Sequence, residues 1–383
     1  MFSRLRDALR SDLETPRHER PWGTGWISGV AGLLLACAGL FFVLELHFPA
    51  QLTLPPLRES YGSAWFRIGL HLLLLAAFTL SAVSLILRTN KVLGLTAMVI
   101  TLAATALGGS RVDSPEVGES GVYLGLDWFV LNLAFTGLLF VPLERLFPRR
   151  REQQLFRAEW REDLFYYLVS SLFAQVLTLI SMAPTTAILA HTRWTELRAW
   201  VGGQWVWLQV LEIMFLTDLV QYWVHRMFHQ VPALWEFHAV HHSATSLDWM
   251  ASARMHVLEI IVLRGTTVIP MFVLGFTEVA IYAYLLLVYL YSSLVHANVG
   301  WNFNRIGWLV VTPRFHHWHH GIDREAIDVN FAIHFPLFDR LFGTYYLPRD
   351  AWPSGYGVGG HPVPRGYWQQ FLHPFRRKTR SND

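Results

Sequence analysis

Eight long apolar runs dominate this 383-residue chain and leave it little choice of fold. They cover roughly residues 25–46, 66–87, 92–109, 122–143, 165–190, 203–224, 256–275 and 279–298. A helix needs ~20 mostly apolar residues to cross the hydrocarbon of a bilayer. The expected fold is therefore all-α: a polytopic transmembrane helix bundle of about eight spans. Length alone would allow two or three domains. The balance of residues argues for one membrane domain instead. Hydrophobic residues make up 53% and charged residues only 15%, against ~25% charged in ordinary soluble domains.

The basic residues give the bundle a direction, because cytoplasmic loops carry the excess of Lys and Arg. Arginines mark the N-terminal segment (Arg4, Arg6, Arg10, Arg17, Arg20) and the loop after the second run (Arg88, with Lys91). They recur after the fourth run (Arg145, Arg149, Arg150, Arg151, Arg157, Arg161) and in the tail (Arg376, Arg377, Lys378, Arg380). With eight spans these all fall on one side. The loop after the third run sets Arg111 against Asp113, Glu116 and Glu119. Both termini are thus expected in the cytoplasm, and the arginine bias suggests a bacterial inner membrane. The first run lacks a clear cleavage site and does not read as a signal peptide. Basic charge placed this way calls for no nucleic-acid partner. The single cysteine, Cys37, excludes an internal disulfide and any cysteine-ligated zinc or iron–sulfur centre.

Eighteen histidines are the anomaly. Three groups stand out: HRMFH with His225 and His229, HAVHH with His238, His241 and His242, and HHWHH with His316, His319 and His320. His296 closes the eighth run. Residues three or four apart share a helix face, so each group aims two or three imidazoles at one point. Nine imidazoles exceed the needs of one ion; over two ions they give four or five ligands each and leave open positions. The sixth and eighth runs both end on the cytoplasmic side, so all groups meet at one membrane face, in a histidine-rich helical cap. His256 and His317 are further candidates for the site. His18, His47, His71, His191, His361 and His373 are not expected to be ligands.

Asp218, Tyr222, His225 and His229 form one helical stripe, and a carboxylate within a span marks function by default. Asp218 is the expected acceptor for the outer N–H of a ligating histidine. Tyr222, Asn298, Asp323, Asp328 and Asn330 are expected beside the ligands. Imidazole suits iron, zinc, copper and nickel alike. Attack on an unactivated C–H bond requires a redox metal and O₂, which favours two iron ions, with zinc as the alternative in purified protein.

In these residues the sequence resembles the fatty acid hydroxylase/sterol desaturase superfamily, whose H-x-x-x-H, H-x-x-H-H and H-x-x-H-H motifs occur in this order with a further histidine before the last. The D-x-x-x-Y-W-x-H-R run at 218–226, HHS at 241–243 and DRLFGT at 339–344 carry the likeness further, over roughly residues 160–350. It departs from the usual pattern in having four preceding spans, in HSATSLDW after the second motif, and in His317, where arginine is usual. The resemblance implies a non-haem di-iron oxidoreductase that uses O₂ to hydroxylate or desaturate a lipid, or to cleave an ether. No haem or flavin motif is visible, so electrons are expected from a separate ferredoxin or cytochrome b5-like donor. The expected division is an N-terminal transmembrane region (1–160), a catalytic domain of four spans plus the cap (161–350) and a cytoplasmic tail (351–383). The competing readings are a zinc-dependent membrane hydrolase and a non-catalytic metal-binding membrane protein. Against the first, no H-E-x-x-H motif is present.

Overall fold

The computed structural model describes residues 2–16, 19–20, 22–113, 121–301, 303, 306–359 and 363–376. Arg17, His18, Glu116, Glu119, His361, Arg377, Lys378 and Arg380 lie outside the described residues. The described chain is helical and holds no strand; its extended pairings are two isolated bridges, Pro148–Val299 and Gly321–Tyr356.

All eight apolar runs fold as helix, and among the described residues six helices are long and apolar enough to cross a membrane: Trp26–His47, Ala64–Leu87, Val92–Arg111, Leu126–Leu146, Ala174–His191 and Glu278–His296. This is an integral-membrane helical bundle. The count falls two short of the eight expected. The sixth run, Val206–Gln230, is 25 residues long but is diluted by Gln209, Glu212, Asp218 and Gln221. The seventh, Val257–Val273, reaches only 17 residues, with Pro270 inside it. The fifth run divides into Trp160–Leu172 and Ala174–His191. These departures cluster where the chain carries its polar chemistry.

The chain forms two compact units: residues 1–135 with 152–157 and 171–175, and residues 136–151 with 158–170 and 176–383. In the first, the helices Trp26–His47, Ala64–Leu87 and Val92–Ala106 pack through small residues. A Cβ on Gly94 would sit 3.0 Å from the Ser81 carbonyl oxygen, and one on Gly39 2.6 Å from Leu74. Close approach of this kind drives helix association in lipid, where burial offers no gain over hydrocarbon contact. Asp12 ties the helix Phe2–Leu13 to this group by an ion pair with Arg88, and its carbonyl accepts from Trp26 Nε1 at 2.9 Å.

In the second unit, Val206–Gln230, Val257–Val273 and Glu278–His296 pack around Ile213, Met271, Ala280 and Tyr284. At the other end of these helices lies a second cluster of Tyr222, Val295, Phe315, Phe331 and Phe338. Two short helices complete this end. Pro232–His242 starts on a proline, whose missing N–H costs nothing in a first turn. Pro313–His319 does the same and is capped by Thr312, whose hydroxyl accepts from Phe315 N.

Candidate metal centre

The three motifs fall on three helix segments: the end of Val206–Gln230, the helix Pro232–His242, and the helix Pro313–His319 with its cap His320. Together with His296 they form two sets. His225, His229, His238, His242 and His319 make one; His241, His296, His316 and His320 make the other. Within each set the ring nitrogens lie within 4.8 Å of one another. Neighbouring groups in sequence split between the sets: His241 and His242 part company, as do His319 and His320, because adjacent helical residues point about 100° apart.

The outer nitrogens show which face of each ring is free. His225 Nδ1 donates to Phe331 O at 2.8 Å, His241 Nδ1 to Arg254 O at 2.9 Å, His319 Nδ1 to Val329 O at 2.8 Å and His296 Nδ1 to Ser292 O at 2.7 Å. A carbonyl can only accept, so each Nδ1 carries the proton and each Nε2 a lone pair. Those lone pairs face the Nε2 atoms of neighbouring rings. His225 Nε2 and His242 Nε2 lie 3.0 and 3.1 Å from His238 Nε2, and His242 lies 3.1 Å from His319. In the other set His296 Nε2 is 3.3 Å from His241 and 3.0 Å from His316, which is 3.2 Å from His320. Lone pairs at that range repel unless a cation lies between them. Nitrogens ~2.1 Å from one ion and about 90° apart would be about 3.0 Å from each other, so the donor set fits a bound metal.

Burial prepares the rings for this. It pushes His225, His238 and His241 down to about 3, and His229, His242, His316, His319 and His320 well below the ordinary histidine value. All are neutral at physiological pH, the form that ligates metal.

Around the rings, Asp218 does not serve as expected. Its carboxylate accepts from the backbone N–H groups of Ile333, His334 and Phe335 at 2.7, 3.2 and 2.7 Å. Asp339 does the same for Phe331 and Ala332 at 2.7 and 2.9 Å, and burial lifts it to about 6. The two aspartates thus fix the loop whose Phe331 carbonyl orients His225. Tyr222 joins this frame through Thr344, its hydroxyl 2.8 Å from Oγ1. Asn330, at a positive φ of 61°, bonds Phe315 O and both backbone groups of Tyr346. Asn298 braces the Arg150 backbone, and Asp323 accepts from Ser354 N. Of the expected supporting acids, Asp328 reaches a ring: its Oδ1 is 3.3 Å from His229 Nδ1.

His256 and His317 lie outside both sets. His256 accepts from Leu258 N, capping its helix, and its Nε2 bonds Phe371 O at 3.0 Å. His317 Nδ1 meets the Tyr356 hydroxyl at 2.7 Å.

Two supporting residues went unnoticed in the sequence. Glu259 accepts from His238 Nδ1 at 2.5 Å and is wholly buried; the signal was available, as an acid inside the seventh apolar run. Arg254, 1% exposed, offers its carbonyl to His241 while its guanidinium pairs with Asp163 at 2.5 Å and Glu159 at 3.6 Å. No local pattern marks that residue, because its partners come from 91 and 95 residues away.

A cavity of about 90 Å³ opens against both sets. His225, His238, His241, His296 and His316 form one wall; Met255, Leu263, Val288 and Val295 supply apolar surface, and Gln221, Tyr291, Ser292, Glu259 and His334 supply polar surface.

Residues 210–344 match the family model of the fatty acid hydroxylases. That segment of the chain therefore carries a fatty acid hydroxylase domain. It is 26% identical over 273 residues to the ornithine lipid hydroxylase OlsE of Rhizobium tropici, covering 69% of this chain and 82% of that one. It is 32% identical over 161 residues to the alkylglycerol monooxygenase of Homo sapiens, of which it spans 34%. It is 24% identical over 138 residues to the very-long-chain aldehyde decarbonylase GL1-10 of Oryza sativa subsp. japonica, of which it spans 46%. No solved structure matches the chain.

Proposed function

We propose that this chain is a membrane-bound di-iron oxygenase that uses O₂ to hydroxylate a lipid, with desaturation the alternative outcome at the same centre. The observation that carries this reading is the division of nine imidazoles into a set of five and a set of four, both bordering one cavity. Bound iron supplies the O₂ activation that protein side chains lack. A set of five imidazoles exceeds the four ligands of a closed tetrahedral zinc site. The relative matched over most of its length is an ornithine lipid hydroxylase, which favours hydroxylation of a lipid over desaturation or ether cleavage.

The chain's own residues hold and shield the reaction. Outer hydrogen bonds fix the tautomer and orientation of His225, His238, His241, His296 and His319. The apolar wall keeps water from the substrate carbon as it comes up to the histidine rings. Electrons come from a separate ferredoxin or cytochrome b5-like protein, which the arginine-rich face suits if that donor is acidic. We place that face, the histidine cluster and both termini in the cytoplasm of a bacterial cell.

Elemental analysis of the purified protein, paired with O₂ uptake under reductant and membrane lipid extract, tests the reading. Two irons per chain and lipid-dependent uptake are expected. Two zincs, with no uptake after iron reconstitution, would sink it.

A further inference from the structure

The cavity beside the metal centre is not uniformly apolar, and two of its polar groups are left unsatisfied. Glu259 Oε2 and His334 Nδ1 are buried with no hydrogen-bond partner. Both side chains are 0% exposed, and both line the cavity. An unpaired buried polar atom costs ~1–3 kcal/mol, so two of them on residues that line one space point to a ligand.

The neighbouring hydrogen bonds fix what each atom wants. Thr217 Oγ1 donates to Ile213 O at 2.6 Å, so its contact with the Tyr284 hydroxyl at 2.8 Å spends the tyrosine proton. Tyr284 can then only accept from His334 Nε2, 3.3 Å away. His334 therefore carries its proton on Nε2 and presents a bare lone pair at Nδ1. Burial keeps the ring neutral, down to about 3. Glu259 takes the His238 proton contact on Oε1 at 2.5 Å and leaves Oε2 as a second acceptor. Both atoms call for a donor.

We infer that the cavity binds the polar part of an amphiphile bearing O–H or N–H donors, held by His334 Nδ1 and Glu259 Oε2. A bare hydrocarbon leaves both acceptors stranded. Resting on the oxygenase reading for the chemistry alone, this places the oxidised carbon beside a hydroxyl or amine group and not in midchain methylene. Met255, Leu263, Val288 and Val295 cover the adjoining chain.

Binding of matched probes to the detergent-solubilised full-length protein, read by native mass spectrometry, tests the inference without turnover. Hexadecane-1,2-diol is compared with 1,2-dimethoxyhexadecane, and hexadecylamine with hexadecyltrimethylammonium. The second member of each pair keeps the chain and loses every donor. A preference of about tenfold or more for the donor-bearing member of at least one pair is expected, collapsing in His334→Phe. The pair with the larger ratio identifies the group. A preference for the amine should also fall in Glu259→Gln, which removes the charge. Equal binding within both pairs of the wild-type protein overturns the inference, whatever the variants do. Iron content and O₂ uptake of the same preparation test the oxygenase reading separately: their loss with the probe ratio intact would leave the binding site standing.

Discussion

At the residue scale, the site is a set of neutral rings, five of which hold an outward proton on Nδ1. Replacing His225, His241 or His320 by alanine removes one donor from a set, and should abolish turnover and lower bound metal while the protein still inserts; an active His320→Ala enzyme would refute the ligand assignment. The same rings set an acid dependence. The folded values of His225, His238 and His241 sit near 3, below the 6.5 of a free ring. A depressed value means full stability above the unfolded value and progressive loss as pH falls towards the folded one. Metal-free protein should therefore lose thermal stability steadily from about pH 6.5 downward, and a melting temperature flat from pH 7 to 5 would contradict the burial. That these nine rings would gather was legible in sequence because helix periodicity is local. The role of Asp218 was not. A carboxylate in a span announces a buried acceptor but not its donor, and here the donors are backbone N–H groups 115 to 117 residues further on.

At the element scale, short helices and one loop do the positioning, and each has a specific fastening. The loop at 331–335 hangs on Asp218 and Asp339, five backbone N–H bonds in all. Asp218→Ala should strand three of those donors, cost roughly 1–3 kcal/mol or more, and loosen His225; the expected readout is a lower melting temperature together with a raised metal dissociation constant. Arg254 fastens the segment behind His241. Breaking a buried ion pair from one side costs ~3–5 kcal/mol, so Arg254→Ala should unfold in detergent at markedly lower temperature than wild type. In the N-terminal unit, Gly94→Leu forces a side chain against the Ser81 carbonyl and should disrupt that packing, seen as proteolytic sensitivity in residues 1–113. Helix existence was legible throughout, since apolar runs of this length have few alternatives. The break at Phe173 was not, because no proline or glycine punctuates the sequence there.

At the scale of the whole molecule, apolar length and polar function compete for the same helices. The six helices that meet the demands of a bilayer by length and composition include only one that ends in a histidine of the two sets, Glu278–His296. Val206–Gln230 and Val257–Val273 miss those demands, and they carry Asp218, His225, His229 and Glu259. Apolar runs and the length-and-composition demands of a span therefore diverge where the chemistry is densest. Stripping metal with a chelator should cost stability as well as activity, since a ligand bound only by the folded state stabilises it by mass action; an unchanged melting temperature after complete removal would argue against a resident ion.

The histidines do not divide evenly: five rings surround one position and four the other. Ions in unequal cages are distinguishable. With iron in both, the pair would have a preferred address for the first electron and another for the second, so reduction would proceed in a set order. Mössbauer spectra of the fully loaded protein should then resolve two signals of equal area, and a limiting dose of reductant should change one before the other.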